Sequence, residues 1–255
     1  NKGFDVTLDI LGEHTKNKEK AELITKQYCD IINKIKLDKL SCNISIKPSH
    51  IGSDINNKLL MKNIKLLHET SIKNNNFIRI DMENSQLTDL TLNTYKKRYI
   101  LENNIGVVLQ AYLYRTEQDL LHLKDGSNIR LCKGIYNENQ SIAIKNPDEI
   151  NNNYIKLLKI AFNKNIYVGI ATHDNHLIKK ALNLINKMNI NKSMYEFQML
   201  YGVPMGDSLE SILNKNNKVR VYVPFGEDWY EYSIRRIKEN PNISKYVIKN
   251  IFLKK

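Results

Sequence analysis

Short apolar runs alternate along the chain with longer stretches in which apolar residues recur at helical spacing. The runs are rich in β-branched and aromatic residues and predict eight strands, at Val6–Leu11, Asn43–Lys47, Phe77–Asp81, Gly106–Ala111, Asn128–Lys133, Tyr167–Thr172, Met194–Leu200 and Val219–Pro224. The stretches between them predict helices, among them Ala21–Ile35, Leu59–Ile72, Thr116–Leu123, a helix that starts at Pro147, His176–Met188, Ser208–Leu213 and Tyr230–Glu239, with a helical tail to Phe252.

This strict alternation of strand and helix predicts right-handed βαβ crossovers and therefore a parallel sheet. Eight such units in 255 residues match the size of a closed (βα)8 barrel. A doubly wound open sheet is the alternative, but the glycine-rich phosphate turn expected after its first strand does not occur. Because no linker rich in Gly, Ser or Pro interrupts the chain, we predict one α/β domain, a TIM-like (βα)8 barrel over residues 1–255.

The chain is basic, with a formal net charge of +12. Nucleic acids and anionic membrane surfaces are the partners that such a charge favours. The lysines, however, are spread over the whole sequence and mixed with asparagine, and no basic block is interleaved with aromatic residues. We therefore expect no nucleic-acid partner, whereas peripheral contact with an anionic membrane surface stays open.

The three cysteines, Cys29, Cys42 and Cys132, show no metal-ligand spacing, and a low, odd count is typical of proteins from a reducing cytoplasm. No run of about 18 apolar residues predicts a membrane-spanning helix. The sequence starts at Asn1 and shows no signal-peptide pattern. We expect a cytoplasmic protein whose start has been cut or processed.

Polar residues follow the apolar part of several predicted strands at equivalent places. Strand ends meet solvent in any barrel, so one polar end would mean little. Active sites of (βα)8 barrels, however, lie at the carboxyl ends of the strands. The recurrence of polar residues there predicts one ligand site, built from Lys47, Asp81, Gln110, Arg130 and His173.

Arg130 and Lys133 lie on one predicted strand, where buried charges need partners, and this favours a role toward a cofactor. Arg235 and Arg236 lie on the last predicted helix. They either form a solvated basic turn or bind one anion between them. Guanidinium groups suit the second role because they bind carboxylates bidentately.

A metal site is a weaker hypothesis for the same strand ends. His173, Asp174 and His176 resemble metal-ligand spacing, and a metal-dependent hydrolase or lyase on the same barrel is one rival function. Too few histidines accompany them and the many cations would repel a metal ion, so no metal is expected. A basic binding module without catalysis is the second rival. Glu196 and Gln198 are interpreted as groups that satisfy polar atoms of the barrel.

Motifs at these strand ends resemble the proline dehydrogenase family. The matching stretches follow the family order, one for each strand, and span nearly the whole chain: Leu11–Glu13, Ile46–Ser49, Ile80–Asp81, Gln110–Tyr112, Arg130–Tyr136, Ala171–Asp174, Tyr195–Gly202 and Val219–Gly226, followed by Arg235 and Arg236. The chain is similar to the monofunctional bacterial members, since no aldehyde dehydrogenase domain follows. An N-terminal helical segment, which members usually carry before the barrel, is expected to be absent.

The resemblance implies a flavoenzyme with non-covalent FAD that oxidises L-proline to 1-pyrroline-5-carboxylate by hydride transfer from C5 to flavin N5. This is the first step of proline degradation to glutamate. Carried over to this chain, the substrate-binding residues are Lys47, Tyr136, Leu200, Tyr222, Arg235 and Arg236. Asp81 is implied to hold Lys47 and to tune the pocket, and Arg130 to reach the N5 region; both are assigned as catalytic. Glu13 is implied to form part of a gate near the last helix.

The residues implied to contact FAD are Met82, Gln110, Arg130, Lys133, Gly134, Ile135, Thr172, His173 and Glu239. Two positions depart from the usual pattern of the family, which often has Val at Cys132 and Ala at Ile135; Ile135 would narrow the site. The family passes its electrons to membrane quinone, so a quinone partner and a location on the inner face of the cell membrane are implied as well.

Overall fold

The computed structural model describes residues 3–100, 102–203, 207–227, 229–230 and 234. Within them, eight parallel strands close into one barrel in sequence order. The strands are β1 Asp5–Ile10, β2 Cys42–Ile46, β3 Ile78–Ile80, β4 Ile105–Gln110, β5 Asn128–Cys132, β6 Tyr167–Ala171, β7 Tyr195–Leu200 and β8 Val219–Phe225. The barrel closes where β1 pairs with β8, with Asp5 opposite Arg220. The predicted single-domain (βα)8 barrel is thereby confirmed.

Helices connect successive strands on the outside of the barrel. They are α1 Lys18–Leu37, α2 Asn57–Lys73, α3 Thr88–Tyr99, α4 Thr116–Leu121, α5 Pro147–Asn163, α6 Asn175–Lys187 and α7 Asp207–Asn214. Four of them begin directly after a polar side chain that accepts hydrogen bonds from the first free backbone N–H groups of the helix. Asn17, Asn56, Asn146 and Asp174 do this for α1, α2, α5 and α6.

One helix, α3, lies in the stretch 82–105, for which the sequence predicted a helix without bounds. The buried face of α3 consists largely of Thr88, Thr91, Thr94 and Tyr95, with Leu92 as its aliphatic member. A face built from hydroxyl-bearing residues gives almost no hydrophobic periodicity, so the pattern of apolar residues could not indicate the bounds of this helix. The predicted last helix, Tyr230–Glu239, and its tail lie largely outside the described residues.

Alternate strand residues face opposite sides of the barrel wall. In β2, Ile44 and Ile46 belong to the hydrophobic core, which the inner faces of the helices complete. Ser45, between them, faces the barrel interior and accepts a hydrogen bond of 3.0 Å from Arg130 of β5. The main core therefore lies between the barrel wall and the helices, whereas charged and polar side chains fill much of the interior, where branched apolar residues are usual.

Charged residues also occupy the interior toward the amino-terminal ends of the strands. Arg79 is fully buried and donates to the Asn128 side chain at 2.6 Å and to the Val107 carbonyl at 3.2 Å. Desolvation, together with the Arg130 charge, lowers the pKa of Arg79 to about 9. Arg220 bonds to Glu196 at 2.7 Å and to Asp5 at 3.2 Å. Hydrogen bonds and ion pairs thus offset the cost of burying these groups.

Two further features bear on the sequence-based expectations. No helix in the described part of the chain has the length and apolar character needed to cross a bilayer. Cys29, Cys42 and Cys132 are all free thiols. Desolvation raises the pKa of the Cys132 thiol to about 12, so this residue is a packed thiol and not a nucleophile at neutral pH.

Candidate active site

A cavity of about 300 Å³ opens at the carboxyl ends of the strands. Its wall includes residues that directly follow β2 and β3 and residues of β4 to β8, so the barrel brings together positions that are far apart in the sequence. The predicted site residues that line it are Glu13, Lys47, Asp81, Met82, Gln110, Arg130, Ile135, Tyr136, Thr172, His173, Leu200 and Tyr222. The volume is at the lower end of the range for small-molecule sites.

Arg130 lies in the wall of this cavity and is held by three side chains. Its Nη1 donates to Asp81 Oδ1 at 2.6 Å, its Nη2 to Ser45 Oγ at 3.0 Å, and its Nε to Gln198 Oε1 at 2.6 Å. The side chain is 9% exposed. A buried guanidinium with partners on both edges and at Nε has a fixed orientation, which suits a group that must present positive charge at one place.

Asp81 and Tyr222 complete this cluster. While Asp81 Oδ1 binds Arg130, Asp81 Oδ2 accepts a hydrogen bond of 2.9 Å from the Tyr222 hydroxyl. The Arg130 guanidinium also lies over the Tyr222 ring, 4.9 Å from its centroid. The Asp81 carboxylate, directly after β3, therefore binds both a cation of β5 and the phenol hydroxyl of β8, and the three side chains form one part of the cavity wall.

The ion pair of Lys47 differs from the predicted one. Lys47 Nζ forms a buried salt bridge with Asp9 Oδ2, and the Tyr28 hydroxyl on α1 donates to Asp9 Oδ1 at 3.1 Å. Asp81, which was expected to hold Lys47, instead pairs with Arg130 and Tyr222. The geometry explains this difference. Asp9 on β1 and Lys47 directly after β2 lie next to each other, whereas the Asp81 carboxylate is directed toward Arg130 of β5 and Tyr222 of β8.

Residues that could hold a cofactor line another part of the wall. His173 Nε2 accepts a hydrogen bond of 2.9 Å from the backbone N–H of Leu200. Burial lowers the His173 pKa, so the ring is neutral and its proton resides on Nδ1. That Nδ1 is buried and has no protein partner among the described residues, so it is a donor for a ligand. Gln110 donates to the Glu83 carbonyl at 2.9 Å.

Lys133 and Gly134 lie beside the cavity, on the loop after β5. Lys133 Nζ is 2.5 Å from Asp174 Oδ2, and Asp174 also caps α6. Gly134 has φ of 114°, and a Cβ there would lie 2.2 Å from the Tyr112 ring. Glycine is therefore needed for both reasons, backbone conformation and space. Ile135 follows it with 49% of its surface exposed at the cavity.

Glu83 is a cavity residue that the sequence-based analysis did not single out. It is 1% exposed, and burial raises its pKa. Both the Ser49 hydroxyl and the Ser49 N–H donate to it, the latter at 2.8 Å. Ser49 Oγ in turn accepts from the His14 N–H at 3.1 Å. These hydrogen bonds connect Glu83, which follows β3, to the loop that carries Glu13.

Three predicted site residues, Arg235, Arg236 and Glu239, lie outside the described residues. The last predicted helix, which Glu13 was expected to approach, also lies largely outside the described residues. The anion clamp and the gate therefore stay predictions. Among the described residues, no group of three His, Cys, Asp or Glu side chains is placed to hold a metal ion.

Asp9 and Gln198 are the other residues that sequence reasoning missed as parts of the site. A signal existed for both: each is a polar residue that alternates with apolar neighbours along its strand, so its side chain is expected to face the interior. Gln198 was interpreted as satisfying barrel polar groups, and the group that it satisfies is Arg130.

Comparison with known proteins agrees with this architecture. The family model described as Proline dehydrogenase matches residues 1–249. Proline dehydrogenase 2 of Bacillus subtilis (strain 168) is 34% identical over 251 residues, which cover 98% of this chain and 82% of that protein. The proline dehydrogenase of Deinococcus radiodurans is 31% identical over 255 residues, with 98% and 82% covered.

Solved structures with the same fold include proline utilization A (PutA) proteins. The protein from Bdellovibrio bacteriovorus, inactivated by N-propargylglycine, superimposes with a TM-score of 0.83 at 23% identity. It matches 92% of this chain, which spans 30% of that much longer protein. PutA from Corynebacterium freiburgense gives a TM-score of 0.79 at 20% identity, with 97% and 30% covered. These likenesses establish the barrel fold.

Proposed function

Because the chain belongs to the proline dehydrogenase family, a family of oxidoreductases, we propose that it uses FAD to oxidise L-proline to 1-pyrroline-5-carboxylate. The observation that carries the proposal is the cluster of Arg130, Asp81 and Tyr222 in the wall of a cavity at the carboxyl ends of the strands. It combines a fixed positive charge with an aromatic surface, as a site for a flavin beside a small cyclic substrate needs.

The residues present fit a flavin. The neutral His173 offers a ligand a buried N–H that has no partner in the described part of the chain, and Arg130 offers a guanidinium with a fixed orientation. Met82, Gln110, Ile135 and Thr172 line the same cavity. Lys133 and Gly134 immediately precede Ile135 in the chain. We propose that these residues, with Glu239, hold FAD. When bound, FAD supplies the acceptor for the hydride that leaves proline C5.

On the substrate side, Tyr136, Leu200 and Tyr222 provide a partly apolar wall for the proline ring. We assign the proline carboxylate to Arg235, Arg236 and Lys47. Since Asp9 neutralises Lys47, the net positive charge in this clamp comes from the two arginines. Their charge also favours loss of the substrate ammonium proton, because like charges disfavour the protonated form. Positioning, more than strong acid–base chemistry, is the task of these side chains.

A quinone is the proposed electron acceptor, and a cytoplasmic location with peripheral contact to the cell membrane is proposed with it. The formal net charge of +12 supports this contact, because basic side chains are attracted to the negative surface of an anionic bilayer.

Vesicle co-sedimentation tests the membrane contact: we expect binding to vesicles that contain anionic lipid and none to zwitterionic vesicles. Reduction of a water-soluble quinone analogue by the proline-reduced enzyme tests the acceptor separately. Binding that is equal for both vesicle types would contradict the proposed lipid contact without affecting the proposed reaction.

Anaerobic titration tests the proposed reaction itself. Protein purified with added FAD should absorb near 450 nm, as oxidised flavins do, and L-proline should bleach this band. A colourless protein with bound zinc would instead support a metal-dependent hydrolase, and salt-sensitive nucleic-acid binding a binding module. Arg235→Ala and Arg236→Ala should each raise the proline KM strongly while FAD stays bound. Normal saturation by proline in both variants would refute the carboxylate clamp.

A further inference from the structure

Arg130 is connected to the opposite side of the barrel interior through Gln198 of β7. Arg130 Nε donates to Gln198 Oε1 at 2.6 Å, and Gln198 Nε2 donates to Glu196 Oε1 at 2.7 Å. Glu196 Oε1 also accepts from Arg220 Nε at 2.7 Å. All four side chains therefore belong to one hydrogen-bonded row that leads from the base of the barrel to the cavity.

The chemistry of the neighbours determines the orientation of the Gln198 amide. Arginine side chains only donate hydrogen bonds, so the group that faces Arg130 has to be the amide oxygen. Burial by itself raises the Glu196 pKa, but the interactions with Arg220, Gln198 and Arg79 together lower it below the usual value. Glu196 is consequently an ionised acceptor and requires the amide NH2. With a donor on one side and an acceptor on the other, a flipped amide would lose both hydrogen bonds.

Gly169 of β6 provides the space that this arrangement needs. In the sheet register, Gly169 lies between Arg130 and Glu196. A Cβ at Gly169 would be 2.4 Å from Gln198 Nε2, closer than any real contact. Neither a positive φ nor a turn calls for glycine at this position. The missing side chain is accounted for by the Gln198 amide, which crosses over β6 to reach β5.

We propose that Gln198 is a positioning residue, which sets the orientation of Arg130 and thereby the rate of proline oxidation. The inference rests on the proposed function, because it assigns to Arg130 a role toward the flavin. Asp81 and Ser45 hold the two terminal nitrogens, and Gln198 holds Nε. Without the third contact the guanidinium can tilt about its bond to Asp81, and small misplacements of catalytic groups are costly in rate.

Gln198→Met tests this, because methionine has a similar length and no hydrogen-bonding amide. We expect FAD to stay bound and the proline concentration for half-maximal reduction to stay near the wild-type value. The limiting rate of anaerobic flavin reduction should fall by a factor on the order of 100. Gly169→Ala should have the same effect, because its Cβ displaces the amide. Thr7→Val is the matched control: it removes another interior hydrogen bond, to Asn43, away from Arg130.

Gln198→Glu is the conservative variant. It keeps an acceptor for Arg130, and because the new carboxyl group lies against the ionised Glu196, one of the two carboxyl groups binds a proton. The protonated carboxyl replaces the amide as the donor between the two side chains, so Gln198→Glu should keep more of the limiting reduction rate than Gln198→Met. A role in stability alone would instead lower Tm in each variant, and leave the limiting reduction rate of the folded enzyme unchanged. Wild-type reduction rates in Gln198→Met and Gly169→Ala would overturn the proposal.

A measurement without flavin keeps this inference distinct from the proposed function. In the FAD-free protein, NMR can follow exchange of the Arg130 Nε–H with solvent, assigned by its loss in Arg130→Lys. A hydrogen bond from a charged donor predicts exchange at least about tenfold slower in the wild type and in Thr7→Val than in Gln198→Met. Equal exchange in all three would exclude the Gln198 contact, whereas absence of proline-dependent bleaching in the wild type would refute the proposed reaction.

Discussion

Asp81 holds Arg130 by an ion pair of 2.6 Å between Oδ1 and Nη1, and both side chains are largely buried. The same carboxylate binds the Tyr222 hydroxyl with its other oxygen. Removal of one partner from a buried pair leaves the other charge unpaired, which costs more than the pair contributes. Asp81 therefore couples the stability of the barrel interior to the geometry of the proposed site.

Replacement of Asp81 should lower both the stability of the protein and its activity toward proline, and the size of each loss should depend on the group that replaces the carboxylate. We expect Asp81→Ala to destabilise the protein by about 3–5 kcal/mol and to lower kcat/KM for proline by a factor on the order of 100. Asp81→Asn keeps an acceptor of the same shape and should have smaller effects on both. Urea denaturation and steady-state kinetics measure the two quantities, and equal losses in the two variants would contradict the proposed role of geometry.

Lys47 and Asp9 should behave as one energetic unit. Either Lys47→Met or Asp9→Asn alone leaves a buried partner uncompensated, with an expected loss of about 3–5 kcal/mol. The double variant removes both charges, so its loss should be smaller than the sum of the single losses by about 1–3 kcal/mol. A double-mutant cycle on the free energy of unfolding checks this. Additive losses would mean that the salt bridge contributes no coupling.

Gly12 precedes the predicted gate residue Glu13 and lies against a buried ring. A Cβ at Gly12 would be 2.2 Å from His50 Nε2, at a φ of 147°. We expect Gly12→Ala to destabilise the protein by roughly 3 kcal/mol or more, because backbone strain and overpacking add. Gly3→Ala is the control: φ is also positive, at 70°, but nothing lies within 4 Å. Its expected cost is about 1 kcal/mol, and similar losses in the two variants would rule out the contact with His50.

His50 predicts a pH dependence of stability. Burial, with a contribution from Lys47, lowers its pKa from 6.5 to about 3. Between these values the unfolded chain binds a proton that the folded protein does not, so the free energy of unfolding falls as pH decreases through this window. At about 1.4 kcal/mol for each pKa unit, the full shift corresponds to roughly 5 kcal/mol of stability. Urea denaturation from pH 7 to pH 4 should give a smaller slope in His50→Gln than in the wild type; parallel curves would contradict the assignment.

The barrel itself could be predicted from the pattern of apolar residues, because every strand buries one face against helices regardless of what the interior contains. Val6–Leu11 and Tyr167–Thr172 were each placed within one residue of the observed strands. The bounds of helix α3 could not be predicted, because threonine and tyrosine form its buried face. The sequence also could not show which acidic side chain pairs with which basic side chain. Lys47 was expected to pair with Asp81, and the closed sheet places Asp9 beside it.

The sequence by itself determined the fold, the family and the set of polar residues at the strand ends, since these depend on periodicity and on local motifs. The tertiary structure decided how these residues are paired: Arg130 with Asp81 and Gln198, Lys47 with Asp9, and Tyr222 with Asp81. The physical reason is that the partners lie up to 141 residues apart in the chain and come within hydrogen-bond distance only when the barrel closes. Side-chain pairing inside a barrel depends on strand register and on the space in the interior. Gly169 shows both, because its register position beside Glu196 and its missing side chain leave room for the Gln198 amide.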